Sequence, residues 1–256
     1  MQNFIKKLES TDNLNIKLLK KLNQKKFRRQ EDKFLIENAT TIHDALKKGF
    51  DFEALFFTKI FAEKNKETLD FLLKSSKCEN FFIINEKINS YFSSLENPSG
   101  ISAIYQKKKR KHADSPVVFL NDIKDPGNLG TILRTAFAFG FKNIVIDQRS
   151  AELYNPKTLQ ASKDSIFSLN IYEDGDINWL KKFNAPIFTT SSKSGTKLQS
   201  LKVPKNFCIV FGNETRGIDE EILEISKEKI KIEIKEEIES LNVAISAGIL
   251  LYYLSI

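Results

Sequence analysis

From residue 117 onward, short unbroken apolar runs alternate with segments whose apolar positions recur every three or four residues. That alternation argues for strands and helices taking turns in a mostly parallel α/β sheet. The runs at 117–120, 143–147, 166–171, 187–190, 207–211 and 230–234 are the expected strands. The clearest helix begins near Leu129, where Leu129, Ile132, Leu133, Ala136 and Phe137 form one stripe at the helical period. Arg134 lies off the stripe with Thr131 and Thr135, facing something other than the core. The final segment, 241–254, is apolar nearly all round and is expected to form a largely buried helix.

Before residue 107 the pattern is mixed. Residues 1–27 read as helical and carry Lys17, Lys20, Lys21, Lys25 and Lys26; 55–58 and 81–84 read as short buried strands, and 64–74 as a helix. Between the two patterns, 107–116 is a run of like charge closing on Pro116, with almost nothing to bury, and is the expected linker. The chain therefore divides into 1–106, the linker, and 117–256.

Composition adds an asymmetry. The net charge of +7 is concentrated in residues 1–110, which hold 22 Lys and Arg against 14 Asp and Glu, while the remainder holds 18 against 19. A basic first part beside a near-neutral second suits a polyanion-binding module joined to a catalytic one, although a Lys-rich bias with solvated faces gives the same count. No run reaches the ~18 apolar residues of a membrane span, and the N-terminal residues lack the apolar core of a secretory signal, so a cytoplasmic protein is expected. Cys78 and Cys208 form no CxxC pair; Cys208, inside an apolar run, reads as a buried inert thiol. His43 and His112 both fall in the first half, which speaks against a zinc site or a Ser-His-Asp triad in the second.

Three separated segments place small or amide-bearing residues where a strand should hand over to a helix, the position at which open α/β sheets bind ligands. They run from Asn121 to Arg134, from Phe211 to Gly217, and from Ser240 to Val243. In the first, Asp125-Pro126-Gly127-Asn128-Leu129-Gly130 reads as a turn with Gly127 at positive φ and Asn128 as helix N-cap. Asp147, ~20 residues on, raises dinucleotide binding as a rival, but the glycines are spaced G-x-x-G and the G-x-G needed at a pyrophosphate is missing. In the second, Gly212 leaves room for a ligand near the backbone, Gly217 permits a tight return, Asp219 caps the next helix, and Glu214 with Arg216 allows a surface ion pair. In the third, Ser240 is the natural N-cap, and Asn242 is the anomaly, an amide in the first turn of an apolar helix.

In this order the three segments resemble the three sequence motifs of the SpoU (TrmH) family of RNA 2′-O-ribose methyltransferases: 121–140 the first, 211–218 the second, 232–250 the third. Tyr154-Asn155-Pro156-Lys157 and Ala161-Ser162 are also similar to family positions. Lys26-Phe27-Arg28-Arg29 with Phe34-Leu35-Ile36-Glu37, and Glu96-Asn97-Pro98-Ser99-Gly100-Ile101, resemble the family's substrate-binding domain. The resemblance implies a C-terminal parallel α/β sheet with a trefoil knot (SPOUT-type), preceded by a small α/β RNA-binding domain (L30e-like). It implies S-adenosylmethionine as methyl donor, held mainly by backbone at Thr190, Gly212, Ile232, Leu241 and Asn242, with no metal. Catalysis and RNA positioning fall on Asn128, Arg134, Glu214, Ser240 and Asn242. RNA contacts are expected at Lys25, Lys26, Arg28 and Arg29, the active form is a homodimer, and ribosomal RNA is preferred over transfer RNA as substrate. The chain departs from the family pattern at Glu233 and Glu236 in the third motif and at Asp164 after the Ala-Ser segment.

The implied reaction is in-line attack of a ribose 2′-oxygen on a sulfonium methyl, in which orientation alone contributes ~7–11 kcal/mol. The planar, positively charged fork of a guanidinium suits Arg134 to binding a phosphate or developing alkoxide rather than to accepting a proton. The basic first domain would read an RNA loop or bulge, because A-form grooves hide base edges. A non-catalytic RNA-binding protein of the same fold is the alternative, and binding of S-adenosylmethionine separates the two. A nicotinamide-dependent enzyme is the third reading.

Overall fold

The structure, a computed structural model, describes residues 5–107 and 116–255, so most of the expected linker lies outside the described residues. The chain forms two units, Met1–Lys108 with Tyr154–Pro156, and Lys109–Leu153 with Lys157–Ile256.

The first unit runs β1 (Ile5–Lys7), α1 (Leu14–Leu22), α2 (Lys25–Gln30), β2 (Lys33–Ile36), α3 (Ala39–Lys47), β3 (Ala54–Thr58), α4 (Lys59–Lys64), α5 (Lys66–Ser75), β4 (Phe81–Ile84), α6 (Glu86–Phe92) and β5 (Ile101–Gln106). Its sheet has the order β1-β4-β3-β5-β2; β1, β4 and β3 are parallel, and β5 runs antiparallel to β3 and β2. Both faces of β3 are covered, which is why its sequence is an unbroken apolar run. Ile16, Leu19 and Leu22 of α1 pack on Phe56, Phe82 and Ile104. Side chains of Asn38, Thr58 and Asn85 accept N–H bonds from the first turns of α3, α4 and α6. Residues 5–7, expected to be helical, instead form an exposed edge strand, because β4 offers an open edge and these residues bury nothing of their own.

The second unit runs β6 (Val117–Leu120), α7 (Pro126–Ala138), β7 (Asn143–Asp147), α8 (Pro156–Ser162), α9 (Ser165–Ser168), β8 (Asn170–Gly175), α10 (Ile177–Lys181), β9 (Ile187–Ser191), β10 (Thr196–Lys197), β11 (Cys208–Phe211), α11 (Glu220–Glu224), β12 (Glu228–Lys231) and α12 (Val243–Ser255). All seven strands of its sheet are parallel, in the order β10-β12-β9-β11-β6-β7-β8. From β6 the chain advances to β7 and β8, then returns past β6 to β9. Right-handed crossovers put the helices of the two excursions on opposite faces. Accordingly α7 packs on α9 and α12, and α10 packs on α11. The strand order reverses between β6 and β11, the switch point at which such sheets open a crevice.

Three expectations change here. Residues 166–168 of the third expected strand lie in the short helix α9, and the strand begins at Asn170; Ile166 and Phe167 are buried against a helix, and a short apolar run does not distinguish the two. Helix α12 is not largely buried, since Ile245, Ile249, Tyr252 and Tyr253 are exposed. Gly127 has no positive φ, because it sits inside the first turn of α7. Gly130 of α7 has a different constraint. A Cβ there would come within 2.5 Å of the Thr158 carbonyl oxygen and 2.6 Å of Ala161 Cβ, so α7 and α8 meet backbone to backbone.

Candidate active site

The C-terminal ends of β6, β11 and β12 lead into the three motif segments, and β9 brings Thr190 beside them. At the start of α7 the N-cap is Asp125, not Asn128: Asp125 Oδ1 accepts the Asn128 N–H at 2.7 Å, with Pro126 pre-set for the first turn. This releases the Asn128 side chain, which donates through Nδ2 to Glu214 Oε1 at 2.8 Å. Asn128 Oδ1 accepts from Asn242 Nδ2 at 3.0 Å. Asn242 Oδ1 in turn accepts the N–H groups of Ala244 and Ile245, so Asn242, not Ser240, caps α12. The Asn242 side chain is exposed and bonded through both its nitrogen and its oxygen, which removes the burial cost expected for it.

The relay has one polarity. Because the Asn242 oxygen is committed to backbone donors, its amide must donate, Asn128 must accept, and the Asn128 amide must then donate to a carboxylate. The three motif segments are thereby tied through Glu214, Asn128 and Asn242.

The loop bearing Glu214 is closed by reciprocal bonds between Asn213 and Gly217 backbone groups at 2.9 and 3.0 Å, with Gly217 at φ 77°. Asn213 Oδ1 accepts the N–H groups of Thr215 and Arg216. A Cβ on Gly212 would lie 2.6 Å from the Gly217 carbonyl oxygen, so the absent side chain accommodates the protein's own returning loop. Glu214 pairs with Asn128, and the cation of Arg216 faces Asp122 Oδ2 at 3.7 Å instead of Glu214.

Beside this loop opens a cleft of about 860 Å³, within the ~300–1,000 Å³ typical of small-molecule sites. Thr190, Gly212, Glu214, Ile232, Ser240 and Leu241 all line it; Asn242 stands between the lining residues Leu241 and Val243. Ile230, Ile232, Ile234 and Leu250 give it an apolar wall, and the loop at Gly212 gives a polar one. A nucleoside with a polar chain fits such a lining, the apolar wall taking a base and main-chain groups taking polar atoms. Thr190 Oγ1 is spent on the Val210 carbonyl, leaving main chain as its offering to a ligand. Of the departures from the family pattern, Glu233 pairs with Lys197 at 2.7 Å, tying the chain after β12 to β10. Asp164 stands before α9 without capping it by its side chain.

Arg134 lies less than two turns along α7 from Asn128, ~9 Å by helical rise. It is exposed and makes no hydrogen bond or ion pair among the described residues. The geometry does not join it to the relay.

On the other side of the switch point the polar groups satisfy one another. Asn121 is buried; its Oδ1 accepts the Asp219 N–H at 3.0 Å, and its Nδ2 donates to Asp219 Oδ2 at 2.9 Å and Asp147 Oδ2 at 3.3 Å. Arg149 pairs with both carboxylates, and Asp147 Oδ1 accepts the backbone and hydroxyl of Ser150. Asp147 thus has no free oxygen to meet a ribose, and the nicotinamide reading loses its second support. Asp219 stands at the N-cap position of α11 but makes no side-chain cap. Burial would raise its pKa, yet the bonds from Asn121 and Arg149 outweigh burial and hold it below the usual carboxylate value. Desolvation pushes the Cys208 thiol up, and Cys78 to about 11, so neither is a ready nucleophile.

In the first unit, Lys25, Lys26 and Arg29 are exposed. Arg28 is not: it is 2 % exposed and donates to the Leu22 carbonyl at 2.8 Å, cementing the end of α1 rather than facing a ligand. The residues missed from sequence are Asn121, Asp122 and Asn213. Their polar side chains at strand ends were the available signal, but their partners lie up to 98 positions away.

Residues 115–252 match the SpoU rRNA Methylase family, and residues 13–103 match the MRM3-like substrate binding domain. The chain belongs to the SpoU rRNA methylase family. It is 31% identical over 255 residues to the 23S rRNA (guanosine(2553)-2′-O)-methyltransferase RlmP of Bacillus subtilis (strain 168), covering 98% of this chain and 99% of that one. Its fold is similar to that of an AdoMet-bound rRNA methyltransferase from Sinorhizobium meliloti, with a TM-score of 0.83, 25% identity and 97% coverage of each chain. A crystal structure of an RNA 2′-O ribose methyltransferase is similar with a TM-score of 0.81 and 26% identity, over 96% of this chain and 97% of that one. The SpoU protein described here is an S-adenosylmethionine-dependent RNA 2′-O-methyltransferase.

Proposed function

We propose that this enzyme methylates a ribose 2′-oxygen in ribosomal RNA, with the methyl donor in the cleft beside Gly212 and Leu241. The observation that carries this reading is the open cleft of about 860 Å³ with the Glu214–Asn128–Asn242 relay at its side. The similarity to the Bacillus enzyme over the whole chain favours ribosomal RNA over transfer RNA.

Bound there, S-adenosylmethionine supplies an electrophilic sulfonium methyl. Leu241, Ile232 and the backbone around Thr190 and Gly212 shape its seat, and the relay fixes the rotamers of Asn128 and Asn242 before substrate arrives. Ser240, exposed at the cleft, offers a hydroxyl to the incoming ribose. Arg134, exposed on α7, binds the target phosphate or the developing 2′-alkoxide and lowers its basicity. Lys25, Lys26 and Arg29 supply RNA phosphate contacts, and residues 1–106 act as the RNA-binding part, joined by 107–116 to the methyl-transferring part, 117–256.

The active form is a homodimer. Ile245, Ile249 and Tyr252 form one exposed apolar stripe on α12, with 56%, 38% and 57% of each side exposed. A surface stripe of that kind suits a second copy. The chain leaving β12 at one side of the sheet comes back as α12 onto α7, and we read this return as the threading of a trefoil knot. The unpaired cysteines fit a reducing compartment such as the cytoplasm.

The test is incubation with labelled S-adenosylmethionine and RNA from a strain lacking the protein. A single new alkali-resistant linkage in ribosomal RNA is expected. Label only in transfer RNA would move the substrate, and cofactor binding without transfer to any RNA would favour a non-catalytic protein.

A further inference from the structure

Asp122 is buried, 3 % exposed, and carries φ 59°, an uncommon backbone state for a residue with a side chain. Strain of this kind persists where surrounding structure demands it. Here the demand is visible. The Asp122 carbonyl and Oδ2 both accept from Asn213 Nδ2, at 2.9 and 3.3 Å. Asn213 then holds the N–H groups of Thr215 and Arg216, so Asp122 anchors the loop that carries Glu214. Two cations face the Asp122 carboxylate, Lys124 at 2.5 Å and Arg216 at 3.7 Å. Lys124 also donates to the Arg149 carbonyl and points away from the loop tip.

Arg216 differs from Lys124. It lines the cleft, its side chain is 76% exposed, and it meets Asp122 from one side only. A buried carboxylate at that distance, meeting a guanidinium that is open to solvent on its other sides, restrains the cation and leaves its remaining donors available. The substrate is a ribose flanked on both sides by phosphodiesters, and the guanidinium fork matches such an anion in two bonds.

We propose that Arg216, held over the mouth of the cleft by Asp122, binds an RNA phosphodiester adjoining the target ribose. Asp122 is the positioning residue and Arg216 the contact. This rests on the assignment of the cleft to the methyl donor and of RNA to the acceptor.

The test uses the full chain and an RNA that the wild type methylates, comparing Arg216→Gln, Asp122→Asn and the double variant. Arg216 is exposed, so its variant should fold; Asn tolerates the left-handed backbone of residue 122. Arg216→Gln is expected to raise KM for RNA about fivefold to tenfold and to flatten the salt dependence of RNA binding by about one charge. Its affinity for S-adenosylmethionine should stay within about twofold. Asp122→Asn should raise KM for RNA less, and the double variant should be no worse than Arg216→Gln alone, because both act through one contact. An unchanged RNA KM and salt slope in Arg216→Gln would overturn the proposal. So would an equal loss of S-adenosylmethionine affinity, or additive losses in the double variant. A wild type that binds the donor yet methylates no RNA would instead strike the underlying assignment.

Discussion

The C-terminal edge of one parallel sheet is treated in two ways on either side of its switch point. Beyond β6 and β7, Asn121, Asp147, Arg149, Ser150 and Asp219 consume one another's hydrogen bonds. Beside β9, β11 and β12 the strand ends are left around an open cleft whose rim carries the Glu214–Asn128–Asn242 relay. The half whose hydrogen bonds are closed on one another fixes the loops beside a smaller cavity of about 520 Å³, and the open half presents them around the larger cleft. Acidic residues at a strand end therefore say little about ligands until their partners are counted.

Occluding the open half should have the largest effect. Ser246→Trp, which points a bulky ring into the cleft from α12, is expected to weaken S-adenosylmethionine binding more than about 100-fold by calorimetry. Unchanged affinity would mean that the cleft is not the donor site. Arg134→Ala should reduce kcat by ~100-fold to 1,000-fold, the range seen when one donor to developing charge is removed. Arg134→Lys should recover only part of this, and full activity in that variant would remove the case for a planar fork.

The closed half should respond in stability instead. Asn121→Leu removes one of the two donors shared by Asp147 and Asp219, leaving Arg149 to face both carboxylates, and should cost about 1–3 kcal/mol in denaturant unfolding. Affinity for the donor, measured on the folded protein, should change less than about twofold. A reversed outcome would erase the distinction between the halves. A smaller effect concerns acid. Asp219 is held below its ordinary pKa, so its contribution is present above the unfolded value of ~3.9 and is lost as pH falls through the lower folded value. Asn121→Leu should flatten the acid limb of the stability profile. Smallest of all, Cys78, with its thiol at about 11, should react slowly with alkylating reagents at pH 8, and Cys78→Ser should leave methyl transfer unchanged.

Much of the frame was legible in sequence because its signals are local. The stripe Leu129, Ile132, Leu133 and Ala136 is buried on α7, and the run ending at Phe211 is a strand covered on both faces. Legibility failed where local signals are weak or shared. Edge strand β8 exposes Glu173 and Asp174 and so lacks an apolar run, while the neighbouring Ile166 and Phe167 look strand-like but sit in α9. At the site, Asn242 was identifiable as unusual, but the caps were assigned to Asn128 and Ser240, three and two residues from the side chains that make them. Asp125 and Asn242 cap the helices, and Asn128 is thereby freed for Glu214. The anchoring roles of Asn121 and Asp122 depend on partners 98 and 91 positions distant, respectively, and no periodicity encodes such pairs.

Gly130 turns helix α7 into a lever with a fixed fulcrum. Its missing side chain lets α8 press directly on the main chain, between the residue that joins the amide relay and the exposed guanidinium farther along. One added methyl group there, touching neither RNA nor methyl donor, would have to tilt α7 or displace α8. Both ends of the lever would then move in opposite directions. Gly130→Ala should therefore behave as a remote throttle on turnover, with the donor's own seat on the far strands left in register.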